Sequence, residues 1–475
     1  MKKVFLINTN TEKAPYPVPP LGLCLLASSL EENYTVKIYD GVFDEGKHLI
    51  SELLTFDPDY IGFSIRNIDD IVADRHVFYV NKIISDFIEP VKKVTSVPIV
   101  LGGSGFSIFP EELMGCTGAD FGIIGEAEES FLYLLKCLDQ GEDISSVPNI
   151  IVANSKSSGN SFQYIYRDVA KLKFSGIDRH VDFRPYVQRG AYSIQTKRGC
   201  SHGCIYCTYP VLEGNRFRMR SPVEIASEIE EAHKRLGEIM FEFVDSTFND
   251  PKGHAEAICR EIIKKKIKIR LRTMGINPRH SSEELFNLMR EAGFTQIDAT
   301  PDSASSKVLK KLDKGFNLEE IEKMALLIRK FDLPTMWFFL FSGPGEDEQT
   351  FRETIDFIDE FVNPDDLVYM TAGLRIYPKT PLYSIAVEEG KIKPGQSVFY
   401  PPVFYFSGTM EKPRIDHLIK EASKTRPNCI PAIETSPPPG MMKEAIELRT
   451  IENLNEPMFR TMLRIRKNWI KKGLI

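Results

Sequence analysis

The chain reads as two α/β units in series, a doubly wound (Rossmann-like) parallel sheet followed by a partial (β/α)6 barrel, with a mainly helical carboxyl-terminal region. Three observations predict this. Short apolar runs alternate with helix-period segments over the first 140 residues, the alternation restarts near Tyr192 and runs to about Tyr383, and a polar stretch separates the two series. A prior of about 150 residues per domain also divides 475 residues into roughly three units. The pattern places the first unit at residues 1–140, a connector at 141–190, the barrel at 191–385 and a substrate or capping region at 386–475.

In the first series, Lys3–Asn8, Thr35–Asp40, Tyr60–Ile65, Pro98–Gly102 and Phe121–Gly125 are predicted strands. Helices are predicted near Leu21–Glu32, Lys47–Thr55, Asp74–Lys93 and Glu126–Leu138. Ligands of such a sheet sit beyond the carboxyl ends of its strands. The residues there are Pro20, Leu21 and Gly22 after the first strand, and Ser64, Ile65, Arg66 and Asn67 after the third. Gly102 and Gly103 follow the fourth, and Gly125, Glu126 and Glu128 the fifth, the glycines allowing close backbone approach to a ligand. In the connector, Asn149–Ala153 and Phe162–Tyr166 read as a hairpin around the polar tip Ser155–Asn160.

The barrel strands are predicted at Ser193–Thr196, Ile239–Val244, Ile267–Arg272, Gln296–Ala299, Thr335–Phe341 and Val368–Ile376, and the active site at their carboxyl ends. Ser221 is placed to cap a helix over Pro222–Leu236. In the last region Phe399, Tyr400, Phe404, Tyr405 and Phe406 read as core, or as the lining of a pocket for a hydrophobic substrate. The basic, amphipathic Phe459–Ile475 is expected to pack on its own domain, with contact to a membrane surface as the alternative.

A net charge of −6 offers no general attraction to nucleic acid or anionic lipid, and no apolar tract reaches 18 residues. A signal peptide is not visible, so the expected compartment is cytoplasmic. Eight cysteines do not make a disulfide scaffold; Cys24, Cys116, Cys137, Cys259 and Cys429 are scattered and read as small buried residues. Asp74-Arg75-His76 reads as the opening of the helix after the third strand.

Cys200, Cys204 and Cys207 cluster at C-x-x-x-C-x-x-C spacing just after a predicted strand. Three thiolates on one loop suit a [4Fe-4S] cubane, whose fourth iron stays open for a substrate or cofactor. A zinc site is the alternative, but it wants a fourth ligand that the crowded His202 does not readily supply. This segment, with Tyr206 before its third cysteine, resembles the signature of the radical S-adenosylmethionine (SAM) superfamily over about residues 190–385. The resemblance implies SAM chelated at the open iron and cleaved by one electron, from a reductant such as flavodoxin or ferredoxin, to methionine and a 5'-deoxyadenosyl radical. It implies Tyr206 and Asp245 as catalytic or SAM-contacting residues, Arg272 and Asn277 at the SAM carboxylate and ribose, and further SAM contacts at Asp302, Ser303, Gly343 and Glu346.

A doubly wound unit ahead of such a barrel resembles the cobalamin-binding class of that superfamily, carried by Pro20-Leu21-Gly22-Leu23, Ser64-Ile65-Arg66-Asn67, Gly102-Gly103 and Gly125-Glu126-Ala127-Glu128. The D-x-H-x-x-G loop that supplies a lower cobalt ligand in many cobalamin proteins is absent, which implies cobalamin without a histidine beneath it. A domain that merely scaffolds the barrel is the alternative. The expected reaction is methyl transfer from methylcobalamin to an unactivated carbon of a small-molecule or lipid-like substrate. Cyclisation or oxidation with the same cofactors, and a non-catalytic iron-sulfur or cobalamin sensor, stand as alternatives.

Overall fold

A computed structural model describes residues 1–75, 77–153, 168–434, 437–438 and 440–474. The predicted strand Phe162–Tyr166, the tip Ser155–Asn160 and His76 lie outside the described residues. Six strands build the first sheet: β1 (Lys3–Asn8), β2 (Thr35–Asp40), β3 (Tyr60–Ser64), β4 (Ile99–Gly102), β5 (Phe121–Ile123) and β6 (Ile150–Val152). Their order is β2-β1-β3-β4-β5-β6. The first five are parallel, and β6 adds an antiparallel edge against β5. The order reverses between β1 and β3, the switch point where such sheets bind ligands. Both faces of these strands are buried, β1 with Phe5 and Ile7 on one side and Val4 and Leu6 on the other.

The helix expected from Asp74 begins only at Val80. It passes through a π-turn over Ile84–Ile88 just before Pro90, whose missing N–H and ring disturb the regular ladder one turn earlier. Two helices absent from the sequence reading, Ser104–Ile108 and Pro110–Thr117, fill the space between β4 and β5. Their Gly and Pro content hides the helical period.

The second sheet is built from β7 (Tyr192–Ile194), β10 (Met240–Phe243), β11 (Arg270–Ile276), β12 (Phe294–Asp302), β13 (Thr335–Phe341), β14 (Leu367–Ala372) and β17 (Cys429–Pro431). Short ribbons pair β8 (Lys197–Arg198) with β9 (Arg218–Met219), and β15 (Leu374–Arg375) with β16 (Phe404–Tyr405). All seven strands are parallel and follow chain order across the sheet. β17 comes from the region expected to be helical. Its Cys429-Ile430-Pro431 run is too short to announce itself in sequence, and it extends the open edge beside β14.

Along β13 the residues alternate: Trp337, Phe339 and Phe341 are fully buried against helices, whereas Met336, Phe338 and Leu340 face the concave side and stay partly exposed. The helix Pro222–Leu236 forms as expected, with Ser221 at its N-cap position but no hydrogen bond from the Ser221 side chain. The final helix, Met458–Lys471, buries Phe459 and Leu463 against Leu367, Met336, Tyr369 and Ile430 and so closes the amino-terminal end of the concave face. Its cations pair within the chain, Arg460 with Asp366 at 3.0 Å and Lys467 with Asp365 at 2.7 Å. This replaces the membrane alternative: the apolar side of the helix is spent on its own domain. Among the described residues no helix is long and apolar enough to cross a membrane.

One apolar core runs through both units, joining Phe5, Ile61 and Phe63 to Ile205, Leu312, Leu374 and Tyr405. Phe399 belongs to this junction, packing on Phe78 and Phe109 with ring centroids 5.1 and 5.2 Å away. Of the aromatics of the last region, Phe399 and Tyr405 therefore belong to the interdomain core and Phe406 packs on the barrel core, whereas Tyr400 is 62% exposed.

Candidate active site between the two units

The cysteine loop leaves β8 and curls beneath the first unit. Cys200 is buried and Cys204 and Cys207 half-buried. Burial raises all three thiols, Cys207 to about 12, and neighbouring thiols raise Cys204 and Cys207 further, so the three lie within one another's field. Among the described residues no three His, Cys, Asp or Glu side chains converge as the ligand set of one metal ion. A cubane takes each thiolate on a different iron, so three thiols on one loop fit the cluster. Of the other cysteines, Cys24, Cys137, Cys259 and Cys429 are buried as expected, whereas Cys116 is exposed.

The loop is braced at nearly every second residue. Asp245, expected to meet SAM, spends both carboxylate oxygens inside the protein. Oδ1 accepts from the Thr196 N–H at 2.7 Å and Oδ2 from the Thr196 hydroxyl at 2.6 Å and from Lys197 Nζ at 3.3 Å. Arg198 donates to Glu128 Oε1 at 2.6 Å and pairs with Glu126 at 3.1 Å, while Arg218 also holds Glu126. Burial disfavours the Arg198 cation, and Glu128 and Glu126 more than offset it, holding the guanidinium above its usual range. Glu126 and Glu128, expected to meet cobalamin, thus form a buried ionic clamp from the first unit onto the cysteine loop.

His202 Nε2 lies 2.8 Å from Asp250, whose other oxygen lies 3.1 Å from His280. Asn277, expected at a ribose, joins this knot: its side-chain amide donates to Asp250 at 2.8 Å, and its backbone N–H donates to Asn249 at 2.7 Å. Tyr206 donates its hydroxyl to Asp302, and Lys314 Nζ reaches Asp302 at 2.5 Å and the Tyr206 hydroxyl at 3.1 Å. The Lys314 ammonium also opposes the rise of the Cys204 thiol, which places its charge near that ligand. Ser303 is internal as well, its hydroxyl 3.3 Å from that of Thr354.

After β13, Ser342 takes a positive φ of 69°, and Glu346 folds back to accept the Gly343 N–H at 3.0 Å. The Glu346 carboxyl is fully buried, its Oε1 has no hydrogen-bond partner among the described residues, and burial pushes its pKa up to about 8. Beyond the carboxyl ends of β3 and β4, Gly103 has φ +98°, and a Cβ there would stand 2.6 Å from the Ile65 carbonyl oxygen. Gly102, Gly103 and Ile65 thus bring two backbone turns together, with Gly125 pinned by its N–H to Ser107 Oγ at 2.8 Å. Gly22 is open, with nothing within 4 Å of where a Cβ would point, and Pro20 and Leu21 start the helix Leu21–Leu30 beside it. Asn67 lines a small cavity with Thr9, Asn10 and Tyr79, just past Ser64 and β1. This backbone cradle, open at Gly22, fits a large planar ligand lying against the strand ends.

Between the units lies a cleft, of whose residues the sequence named Arg66 and Arg272 but not Tyr16, Tyr209, Glu242 or Asp298. Arg66 and Tyr209 keep accessible surface, yet burial lowers the Arg66 guanidinium and raises the Tyr209 hydroxyl, as expected of groups projecting into an enclosed space. Below them on the barrel are Glu242, Arg272, Gln296 and Asp298. Arg272 Nε lies 2.7 Å from Glu242, and its guanidinium stacks 4.1 Å from the ring centroid of Tyr16, a residue of the first unit. Arg272 therefore lies in the floor of the cleft. The signal was present in sequence as polar residues at every second position of apolar strands.

The parts define a class: an α/β protein whose amino-terminal unit offers a ligand cradle facing a barrel-borne three-thiol loop. Residues 7–135 match the B12 binding domain family and residues 194–358 the radical SAM superfamily. The chain thus joins a B12-binding domain to a radical SAM domain and is a cobalamin-binding-class radical SAM protein. It is 26% identical to an uncharacterised methyltransferase of Pyrococcus horikoshii, over 81% of this chain and 83% of that protein. It is 25% identical to the tryptophan 2-C-methyltransferase of Streptomyces laurentii, over 79% and 73% respectively. The fold matches the radical SAM methyltransferase TsrM of Kitasatospora setae, solved with cobalamin and a [4Fe-4S] cluster, with a TM-score of 0.83 at 21% identity over the whole of both chains. The cobalamin-dependent radical enzyme OxsB gives a TM-score of 0.73 at 17% identity, covering all of this chain and 71% of that one.

Proposed function

We propose that this protein is a cobalamin-dependent radical SAM methyltransferase acting on carbon of a small molecule. The observation that carries the reading is the cleft itself, bounded above by the backbone cradle of the first unit and at its side by the three-thiol loop. Bound there, the cluster and SAM would supply one-electron cleavage chemistry, and cobalamin a transferable methyl group. The chain's part is to fix distances: Cys200, Cys204 and Cys207 would hold the cluster, the Gly102-Gly103 turn and the open face at Gly22 would hold the corrin, and the Glu126/Glu128 clamp would set one against the other. Arg66 projects into the cleft from the cradle side and would limit water there.

Methyl transfer is favoured over cyclisation, oxidation or sensing because full-length relatives from Pyrococcus and Streptomyces are methyltransferases, one of them acting on tryptophan. The external reductant belongs to the same proposal. The test is anaerobic reconstitution with SAM bearing a trideuterated methyl group. A product heavier by the labelled methyl supports the reading, and reductive SAM cleavage with no labelled product across candidate substrates counts against it.

A further inference from the structure

The concave face of the barrel carries charged groups that the cysteine loop does not use. Glu242, Arg272 and Gln296 are register neighbours on β10, β11 and β12. Asp298 stands two residues beyond Gln296 on the same face, diagonal to Arg272 at about 7–8 Å between backbones. Glu242 is spoken for, accepting from the Tyr16 hydroxyl at 2.7 Å and pairing with Arg272. What remains is complementary in hydrogen bonding, a donor at Arg272 and an acceptor at Asp298. Arg272 Nη2 is buried without a hydrogen-bond partner, and the Asp298 carboxyl has a single bond, from the Gln296 amide at 3.4 Å, with no ion-pair partner among the described residues. The face is open at Met274 of β11, which is 47% exposed, and further along the sheet it ends on the stacked rings of Phe338 and Tyr369, 5.2 Å apart, the latter packed against the final helix.

Each simpler ligand leaves one group unanswered. A substrate carboxylate alone would satisfy Arg272 and face the Asp298 carboxyl. An amine alone would satisfy Asp298 and leave the guanidinium nitrogen dry, and a buried polar group without a partner is costly. We propose that this face binds the substrate as a zwitterionic α-amino acid, its carboxylate on Arg272, its ammonium on Asp298 and its side chain lying toward Phe338 and Tyr369. Burial, and then the charge of Glu242, push the empty Asp298 carboxyl up to about 7, and an ammonium seated against it would reverse both effects. The assignment gives Arg272 a substrate carboxylate in place of the SAM carboxylate expected from sequence. It rests on the reading of the cleft as the reaction chamber.

The test is equilibrium dialysis of the anaerobic holoprotein, carrying cluster and cobalamin, against an equimolar pool of the twenty l-amino acids, read by mass spectrometry. The expected result is retention of one or a few amino acids, each held roughly tenfold or more tighter than its own deaminated and decarboxylated analogues. Asp298→Asn should abolish the preference over the deaminated analogue, and Arg272→Met the preference over the decarboxylated one, with cluster and cobalamin absorption unchanged. If Arg272→Met loses its cofactors, Asp298→Asn alone decides. Retention of no amino acid by fully loaded protein, or wild-type preference in Asp298→Asn, overturns the assignment. Dialysis needs no turnover, so retention without labelled methyl transfer would remove the methyltransferase reading and leave this site standing, and methylation of a substrate that is no amino acid would do the reverse.

Discussion

Glu128→Gln removes one charge from the clamp between the units while keeping its shape. Glu126 and Glu128 face Arg198 and Arg218 with side chains 6–12% exposed, so the four charges cancel in a nearly dry space. The substitution leaves one surplus cation there. Breaking one partner of a buried pair costs about 3–5 kcal/mol, and because Glu126 still holds Arg198, the lower end applies, about 3 kcal/mol. Urea unfolding is read by two probes: far-UV ellipticity, which sees both units, and fluorescence of Trp337 and Trp469, both in the second unit. The ellipticity midpoint should fall and part from the fluorescence midpoint as the first unit lets go of the cysteine loop. Adding Arg198→Met should cost less than its effect alone, since it removes the stranded charge. A change under about 0.5 kcal/mol, or strictly additive effects, would refute the clamp.

The charges beside Cys204 predict shifts of opposite sign in the midpoint potential of the reconstituted cluster, measured by redox titration with electron paramagnetic resonance: Lys314→Met lowers it and Asp302→Asn raises it. Shifts of the same sign would rule out electrostatic tuning. The Glu346 carboxyl titrates near 8 in the fold against an ordinary value of 4.5, so the native chain holds the proton more tightly, and wild-type stability falls as pH rises between those values. The slope is at most about 1.4 kcal/mol per pH unit. Glu346→Gln should therefore raise the thermal midpoint increasingly from pH 5 to pH 8, and a pH-independent difference would contradict the burial of this carboxyl. Gly103→Ala combines a φ of +98° with a Cβ 2.6 Å from the Ile65 carbonyl oxygen. It should destabilise by about 1–3 kcal/mol and weaken cobalamin retention on gel filtration, whereas Gly22→Ala, inside the helix Leu21–Leu30 with open space around it, should stabilise by up to about 1 kcal/mol.

The fold was largely legible because the strands are short apolar runs bounded by turns, and a parallel sheet buries both faces of its strands. What escaped has a physical reason in each case. The helix Ser104–Ile108 is shorter than two turns and starts beside two glycines, and β17 spans only Cys429-Ile430-Pro431. The thiol loop announced itself by spacing. The residues around it did not reveal their roles, because a polar residue after a strand looks the same whether it meets a ligand or braces a loop. Asp245, Asn277, Asp302 and Glu128, named from sequence for SAM or cobalamin, each make hydrogen bonds to the loop or its neighbours. The groups that face the cleft sit within strands, where Glu242, Arg272 and Asp298 read locally as interruptions of apolar runs; only strand register brings them onto one face.

That division of labour follows from the chemistry. Where cofactors carry the reacting atoms, the protein's task is to hold them at fixed separation, and tolerance for a loose loop is small. From Thr196 to Tyr206 the chain is tied in turn to Asp245 beyond β10, to Glu128 of the first unit, to Asp250 further along the same loop and Asn277 just after β11, and to Asp302 of β12. The tie to Glu128 differs from the rest, because it crosses from the unit that carries the cradle. Any rotation of that unit against the barrel must therefore either break a buried ion pair or carry the cysteine loop with it. The spacing between cradle and thiols is thus held by the same contacts that hold the two units together.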